Sequence, residues 1–207
     1  MSKASTHTAA SAPLTTQLQD FERQYVAIKR AAEELCDGLT DEQFNWRESA
    51  GRWSIAECLD HLNVSSRQML PMIENAIRDA RAKQLLGDRP SRNGFLGNFL
   101  IRHLEPPVKL KTKAPKILVP SSDKSRAVVL SEFTVYQDRM IELIREANGI
   151  DLSKVRITSL ITKLLKLNLG AWFGFIAAHE RRHLWQAQQV TAAREFPKAQ
   201  AAQAARV

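Results

Sequence analysis

The chain of 207 residues has little cysteine, proline or glycine, and each shortage excludes a class of protein. Its two cysteines, Cys36 and Cys58, are too few for a disulfide scaffold and too far apart for a CxxC site. Eight glycines and eight prolines are too few for a collagen-like, low-complexity or turn-rich all-β protein. Because disulfides are rare in a reducing compartment, the cysteine shortage favours a cytoplasmic location.

A long apolar run is also missing. The most apolar stretch, residues 157–178, is interrupted by lysines and an asparagine, whereas a membrane span needs about 20 mostly apolar residues. We therefore predict no membrane partner. The small, polar N-terminal residues lack the apolar core of a signal peptide. Composition predicts a disordered leader at 1–13, one domain over 14–196 and a disordered tail at 197–207.

Charge and hydrophobicity are those of a globular protein with a basic surface. Hydrophobic residues make up 44% of the chain and charged residues 25%, which excludes wholesale disorder. The net charge of +8 favours acidic partners and draws anionic substrates. A basic stretch at 109–116 lacks the interleaved aromatic residues that stack on bases. We interpret this stretch as a solvated loop and predict no nucleic-acid partner.

Four long segments have helical periodicity, and no clean strand alternation competes with them. They span about residues 14–39, 54–82, 124–148 and 169–196. Capping-box spacing occurs at Thr40 and Gln43 and again at Ser54 and Glu57. Pro71 predicts a kink or break in the second helix. We predict an all-α four-helix bundle with one long crossover connection.

The two longer connections are each predicted to contain a short helix. The crossover, residues 87–123, is longer than loops without secondary structure usually are. We place a short helix at residues 93–105. The second connection is predicted to have one at residues 159–167.

Two histidines occupy the apolar stripe of the fourth helix. On a helical wheel, His179 and His183 lie in the middle of the stripe formed by Trp172, Ile176 and Val190. Burying two imidazoles is costly unless their nitrogens are satisfied. One turn apart, the pair can bind a single ion. The alternative is a hydrogen-bonded structural pair.

The second helix contributes a third candidate ligand, His61, on the flank of its own apolar stripe. Three imidazoles with an open coordination position are typical of a catalytic metal site. Cys58, one turn earlier, could approach the metal, but we interpret it as a small buried core residue. His7 in the leader and His103 in the long connection are interpreted as incidental.

Residues 179–183 spell H-E-x-x-H, the zinc signature of many metalloproteases. The extended signature fails, because the later glycine and histidine are absent. A carboxylate ligand downstream would have to be Glu195, near the end of the same helix. A zinc peptidase is therefore the weakest of the alternatives.

Residues 53–62, WSIAECLDHL, and residues 179–186, HERRHLWQ, resemble motifs of the DinB-like superfamily in sequence and order. The similarity runs from about residue 14 to 195. This resemblance implies up-down-down-up connectivity, a homodimer and a divalent metal held by His61, His179 and His183. Imidazole suits zinc, nickel, copper and iron. Zinc or nickel leads our prediction, followed by iron or manganese.

Characterised members of this family include bacillithiol S-transferases and a mycothiol-dependent isomerase. The resemblance therefore implies a metal-dependent thiol S-transferase or hydrolase, with a small molecule and a low-molecular-weight thiol as substrates. A non-catalytic metal-binding or interaction bundle is the alternative. Glu57 and Glu180 can accept a hydrogen bond from a ligand N–H. Glu57 is equally explained by capping, and Glu180 by an ion pair on the helix flank, so neither is assigned as a base.

Overall fold

The computed structural model describes residues 13–108 and 113–197, and these residues are mainly helical. Most of the predicted leader and tail, His7 and residues 109–112 of the basic stretch lie outside the described residues. The helices are α1 (Thr16–Cys36), α2 (Asp41–Asn45), α3 (Ile55–Ala82), α4 (Gly94–Leu104), α5 (Arg126–Glu146) and α6 (Leu169–Thr191). Two short strands, β1 (Arg156–Thr158) and β2 (Lys166–Asn168), pair antiparallel, and Lys116–Leu118 form one 3₁₀ turn.

Local side-chain signals start the helices as the sequence predicts. Both capping boxes are confirmed: the one at Thr40 and Gln43, and the one at Ser54 and Glu57. In the second box, Ser54 Oγ accepts from the Glu57 amide at 3.1 Å, and Glu57 Oε2 accepts from the Ser54 amide at 3.0 Å. Such caps satisfy amides that would otherwise be unpaired, and each contributes about 1 kcal/mol.

The helix ends differ from the expectation by a few residues. Helix α1 ends at Cys36 and Gly38 follows with φ of 68°, a left-handed conformation that glycine adopts without strain. Helix α6 ends at Thr191, before the predicted stop at Pro197. Of the kink or break predicted at Pro71, the break is wrong, because α3 is continuous through this residue. Pro71 and Arg67 are both exposed, so water can bond to the Arg67 carbonyl oxygen that the missing proline N–H leaves without its intrahelical partner.

The short helix predicted in the crossover is confirmed as α4. The one predicted at residues 159–167 is wrong, because this segment is the turn and second strand of a β-hairpin. Ile157 pairs with Leu167 and both are buried, while the Ser159 amide donates to the Leu165 carbonyl at 2.8 Å. Apolar side chains spaced for a helix face are here distributed between two strands and the exposed turn that joins them.

The four long helices enclose one hydrophobic core. Helices α1 and α3 each pack against both α5 and α6, and α4 packs on the outside of α6. The largest fully buried side chains come from several elements: Trp172, Tyr25, Phe44, Phe133 and Phe173. Within the described part of the chain, no helix has the length and hydrophobicity needed to cross a bilayer.

Candidate metal centre

The three histidines singled out in the sequence meet where α3 packs against α6. His61 extends from α3, and His179 and His183 extend from successive turns of α6. One ring nitrogen of each lies within 4.8 Å of the others. The Nε2 atoms of His61 and His179 are 3.1 Å apart. Two nitrogens bound tetrahedrally to one zinc ion, at about 2.0–2.1 Å each, would be about 3.4 Å apart, so this spacing suits a single ion.

The apolar stripe of α6 fixes two of these side chains. Trp172, Ile176 and Val190 are buried as the wheel predicts, and they hold one face of α6 against the core. His183 is buried within this face, while His179 is half-buried at its edge. The flank position predicted for His61 places it in the seam between α3 and α6, where only 2% of the residue is exposed.

A backbone carbonyl fixes the protonation of His61. The Leu118 carbonyl oxygen, in the 3₁₀ turn, lies 2.6 Å from His61 Nδ1. Because a carbonyl can only accept, Nδ1 must carry the proton, and Nε2 presents its lone pair toward His179. This is the tautomer in which Nε2 can bind a metal. Sequence reasoning missed this contact, since a backbone oxygen leaves no residue-type signal.

Buried carboxylates hold the loop that follows Leu118. Asp60 is fully buried and accepts hydrogen bonds from the Ser121 amide at 2.7 Å and from Lys124 Nζ at 2.6 Å. Glu57, besides capping α3, pairs with Arg47 at 2.8 Å. The Asp60 bonds tie residues 121–124 directly to α3, and Arg47 connects Glu57 to the same loop by donating to Ser122 Oγ at 2.7 Å. They therefore position the carbonyl that orients His61.

Aromatic rings cover the cluster. The Trp53 ring lies 5.0 Å from the His61 ring and 5.6 Å from the His183 ring, measured between centroids. The Phe175 ring is parallel to that of His179 at 6.5 Å, one helical turn earlier on the same face of α6. These rings limit the access of water to the imidazoles. The i,i+4 spacing of Phe175 and His179 is the sequence signal that could have identified Phe175.

Burial keeps all three imidazoles neutral. Desolvation lowers the pKa of His179 to about 3, and the neighbouring His61 and Arg182 lower it further. Desolvation also lowers the pKa of His61 and brings that of His183 well below its ordinary value. His183 Nδ1 is buried without a hydrogen bond of normal length among the described residues. Neutral imidazoles are the form that coordinates metals, so this donor set fits a divalent ion.

Two comparisons with known proteins give significant matches. The family profile of the DinB superfamily matches residues 24–187. The chain belongs to the DinB superfamily. An uncharacterised protein of Bacillus subtilis (strain 168), YuaE, is 29% identical over 154 residues, covering 74% of this chain and 86% of YuaE. No solved structure gives a significant match.

In this DinB-superfamily protein, Glu180 does not lie on the helix flank as expected. It is 2% exposed, and its Oε1 accepts a hydrogen bond from Gln137 Nε2 of α5 at 3.0 Å. Burial raises the pKa of Glu180 to about 8, and the bond from Gln137 partly opposes that shift. The surface ion pair suggested by the sequence is therefore wrong.

The other candidates lie outside the histidine cluster. His103 is exposed on α4, with its ring 4.8 Å from that of Phe99. Cys58 is fully buried, and burial raises the pKa of its thiol, as expected for a core residue. Glu195 is exposed beyond the end of α6. Among the described residues, the cluster of potential metal ligands consists of His61, His179 and His183.

Proposed function

We propose that His61, His179 and His183 bind one divalent metal ion, with zinc or nickel preferred over iron or manganese. The observation that supports this most strongly is the convergence of three neutral imidazoles, one of them held by Leu118 in the tautomer that a ligand requires. Three protein ligands leave a coordination position for a substrate. The ion would act there as a Lewis acid that lowers the pKa of a water or thiol nucleophile.

We further propose that the protein is a thiol S-transferase or a hydrolase acting on a small molecule. Membership of the DinB superfamily, whose members are often metal-dependent enzymes, supports an enzymatic role. The thiol substrate is our inference from the resemblance to the thiol-dependent members of that family. The chain itself supplies shape and orientation. Trp53 and Phe175 exclude water around the imidazoles, and Leu118 keeps the proton on His61 Nδ1.

The helix connectivity forms part of the same proposal. Contacts between Glu22 and Arg145 and between Lys29 and Asp138 indicate that α1 and α5 are antiparallel. Contacts of Arg67 with Glu132 and of Glu74 with Arg139 indicate that α3 and α5 are parallel. Helix α6 is parallel to α1, since Phe21 lies beside Phe173 and Gln24 accepts a hydrogen bond from Arg181. We infer up-down-down-up connectivity for α1, α3, α5 and α6.

Two alternatives remain open to experiment. A non-catalytic metal-binding or interaction bundle would bind the ion but show no turnover. A zinc peptidase would need Glu180 as its base beside the metal, whereas Glu180 is bonded to Gln137 of α5. The geometry therefore favours the small-molecule reaction. A cytoplasmic homodimer is part of our proposal, and sedimentation velocity would measure its mass.

Metal analysis followed by assay tests the function. We expect one equivalent of zinc or nickel per chain after reconstitution and dialysis. The loaded protein should accelerate the reaction of small thiols, such as cysteine, with an alkylating electrophile. The variant His183→Ala should lose both properties, and His103→Ala should keep both. Stoichiometric metal without turnover of thiol or ester substrates would favour the non-catalytic alternative, and absence of metal would refute the site.

A further inference from the structure

An apolar pocket of about 120 Å³ lies between α3, α6, the 3₁₀ turn and the hairpin turn. Its walls include Met69 and Met72 of α3, Trp172 of α6 and Leu165 of the hairpin turn. An apolar protein cavity of about 150 Å³ is large enough to hold benzene. The pocket is about four-fifths of that volume and is open on the side of the exposed Ile117, Leu160 and Ile161, so it has room for most of a chain or ring of about six carbon atoms.

Two residues line the pocket and also contact the histidine cluster. Leu118 lines the pocket and also presents its carbonyl to His61 Nδ1 at 2.6 Å. Phe175 lines the pocket and also stacks on His179. A molecule in the pocket would thus be one residue away from two of the three histidines. This places the pocket where the non-reacting part of a substrate would be held.

The side chains that line the pocket disfavour a charged ligand. None of the described residues that line the pocket is charged, and its polar side chains are those of Gln68, Ser159 and Thr162. A carboxylate or ammonium group would lose its hydration there without an ionic partner. At the rim, the apolar residues Ile117, Leu160 and Ile161 are each more than half exposed. A ligand that covered these side chains would remove apolar surface from water.

We propose that this pocket binds the uncharged, apolar part of the substrate, with about six carbon atoms, and thereby makes the enzyme specific for neutral apolar electrophiles. The polar thiol substrate would then reach the histidines from outside the pocket. The catalytic meaning of this proposal rests on the proposed function, but the binding itself does not require a metal. The two can therefore fail separately.

Methionine-methyl NMR tests the binding directly. The chain has four methionines, and Met69 and Met72 line the pocket, whereas Met140 is buried on α5 and Met1 is terminal. The full chain, labelled with ¹³C at the methionine methyls, would be titrated with 1-hexanol and with hexanoate at pH 7.5. Assignments would come from Met69→Leu and Met72→Leu. The titration would be repeated after chelation, with metal content measured on each sample.

We expect saturable shifts at Met69 and Met72 with 1-hexanol, no comparable shift at Met140, and at least tenfold weaker binding of hexanoate. Leu165→Trp should fill the pocket and weaken hexanol binding at least tenfold. Leu164→Trp is the matched control, because Leu164 is 94% exposed in the same turn and should leave binding unchanged.

Three results would overturn the proposal: no saturable shift at Met69 and Met72, equal binding of hexanoate, or an equal shift at Met140. The comparison of hexanol with hexanoate uses the unmodified chain, so it tests the proposal even if Leu165→Trp fails to fold. If hexanol binds to a sample that takes up no metal, the pocket stands while the proposed metal function fails. If metal binds and hexanol does not, the proposed metal function stands while the pocket proposal fails.

Discussion

Removing one imidazole distinguishes the stability that metal binding provides from the stability that side-chain packing provides at the histidine cluster. His179 is the best position for this, because its side chain is half-buried and its loss leaves the core face of α6 intact. His103→Ala is the control, since it removes an exposed histidine outside the cluster. Both variants are compared with the unmodified chain at pH 7.5, where burial keeps the cluster imidazoles neutral and protons do not compete with the metal.

The expected magnitude follows from ligand linkage. With free metal a hundredfold above its dissociation constant, binding stabilises the native state by about 2.7 kcal/mol. For a chain of this length, about 2–4 °C of melting temperature corresponds to 1 kcal/mol, so metal should raise Tm by about 5–11 °C. Loss of an outer-shell partner weakens metal binding about 10–100-fold, and loss of a ligand should exceed that. At the same free metal, His179→Ala should therefore gain less than about 0.4 kcal/mol.

Differential scanning calorimetry in metal-buffered and in chelator-containing solutions measures the metal-dependent rise in Tm and the metal-independent effect of the substitution. The metal-dependent rise in Tm should be the same for the unmodified chain and His103→Ala, and below about 2 °C for His179→Ala. In chelator, His179→Ala should differ from the unmodified chain by no more than about 1 kcal/mol, the typical cost of a point substitution. A metal site at His179 is refuted if metal leaves the Tm of the unmodified chain unchanged, or if metal raises the Tm of His179→Ala as much as that of the unmodified chain.

Three further predictions concern the supports of the site and the core. Asp60→Asn should weaken metal binding about tenfold or more in a competition titration, because it loosens the loop that presents Leu118 to His61. Ser54→Ala should lower the free energy of unfolding in urea by about 1–2 kcal/mol, since it breaks the capping box. Burial raises the pKa of Cys36 to about 12, so the folded chain retains this proton longer than the unfolded one. The contribution of Cys36 to stability should therefore be full below pH 9 and fall by about 1.4 kcal/mol per pH unit between pH 9 and 12. Because burial raises the pKa of Cys58 as well, the unmodified chain should lose more than this, and Cys36→Ala should show a slope smaller by about that amount when urea unfolding is measured at each pH.

Local signals explain how much of the fold was predictable. The capping boxes at Thr40 and Ser54 and the glycine after α1 act over three or four residues, and the sequence displays each of them in full. The hairpin does not have such a signal. Its strands are three residues long, too short for a period of two to be distinguished from a helical stripe. It forms because Ile157 and Leu167 are buried beneath it and Trp172 Nε1 donates to the Ile157 carbonyl at 3.1 Å.

The candidate site, like the fold, could be predicted from the sequence only in part. His179 and His183 could be identified from the wheel, because an imidazole pair on an apolar stripe is visible within one helix. That His61 lies beside them depends on the packing of α3 against α6, for which the sequence offered only its flank position on the second helix and the family resemblance. The Leu118 carbonyl and the Asp60 bonds depend on the course of a loop more than 50 residues away along the chain. Long-range contacts of that kind leave no pattern in a single sequence.

The H-E-x-x-H sequence shows why the faces of a helix, rather than its letters, decide the chemistry. In residues 179–183 the two histidines share a face directed toward α3, where His61 completes the cluster. Glu180 is one residue further round the helix and meets Gln137 of α5 instead. A peptidase would need this carboxylate beside the metal, with a later ligand such as Glu195, which is exposed beyond the end of α6. Because the third imidazole comes from α3 and the carboxylate is directed to α5, the same five letters here favour a three-histidine site without a glutamate base.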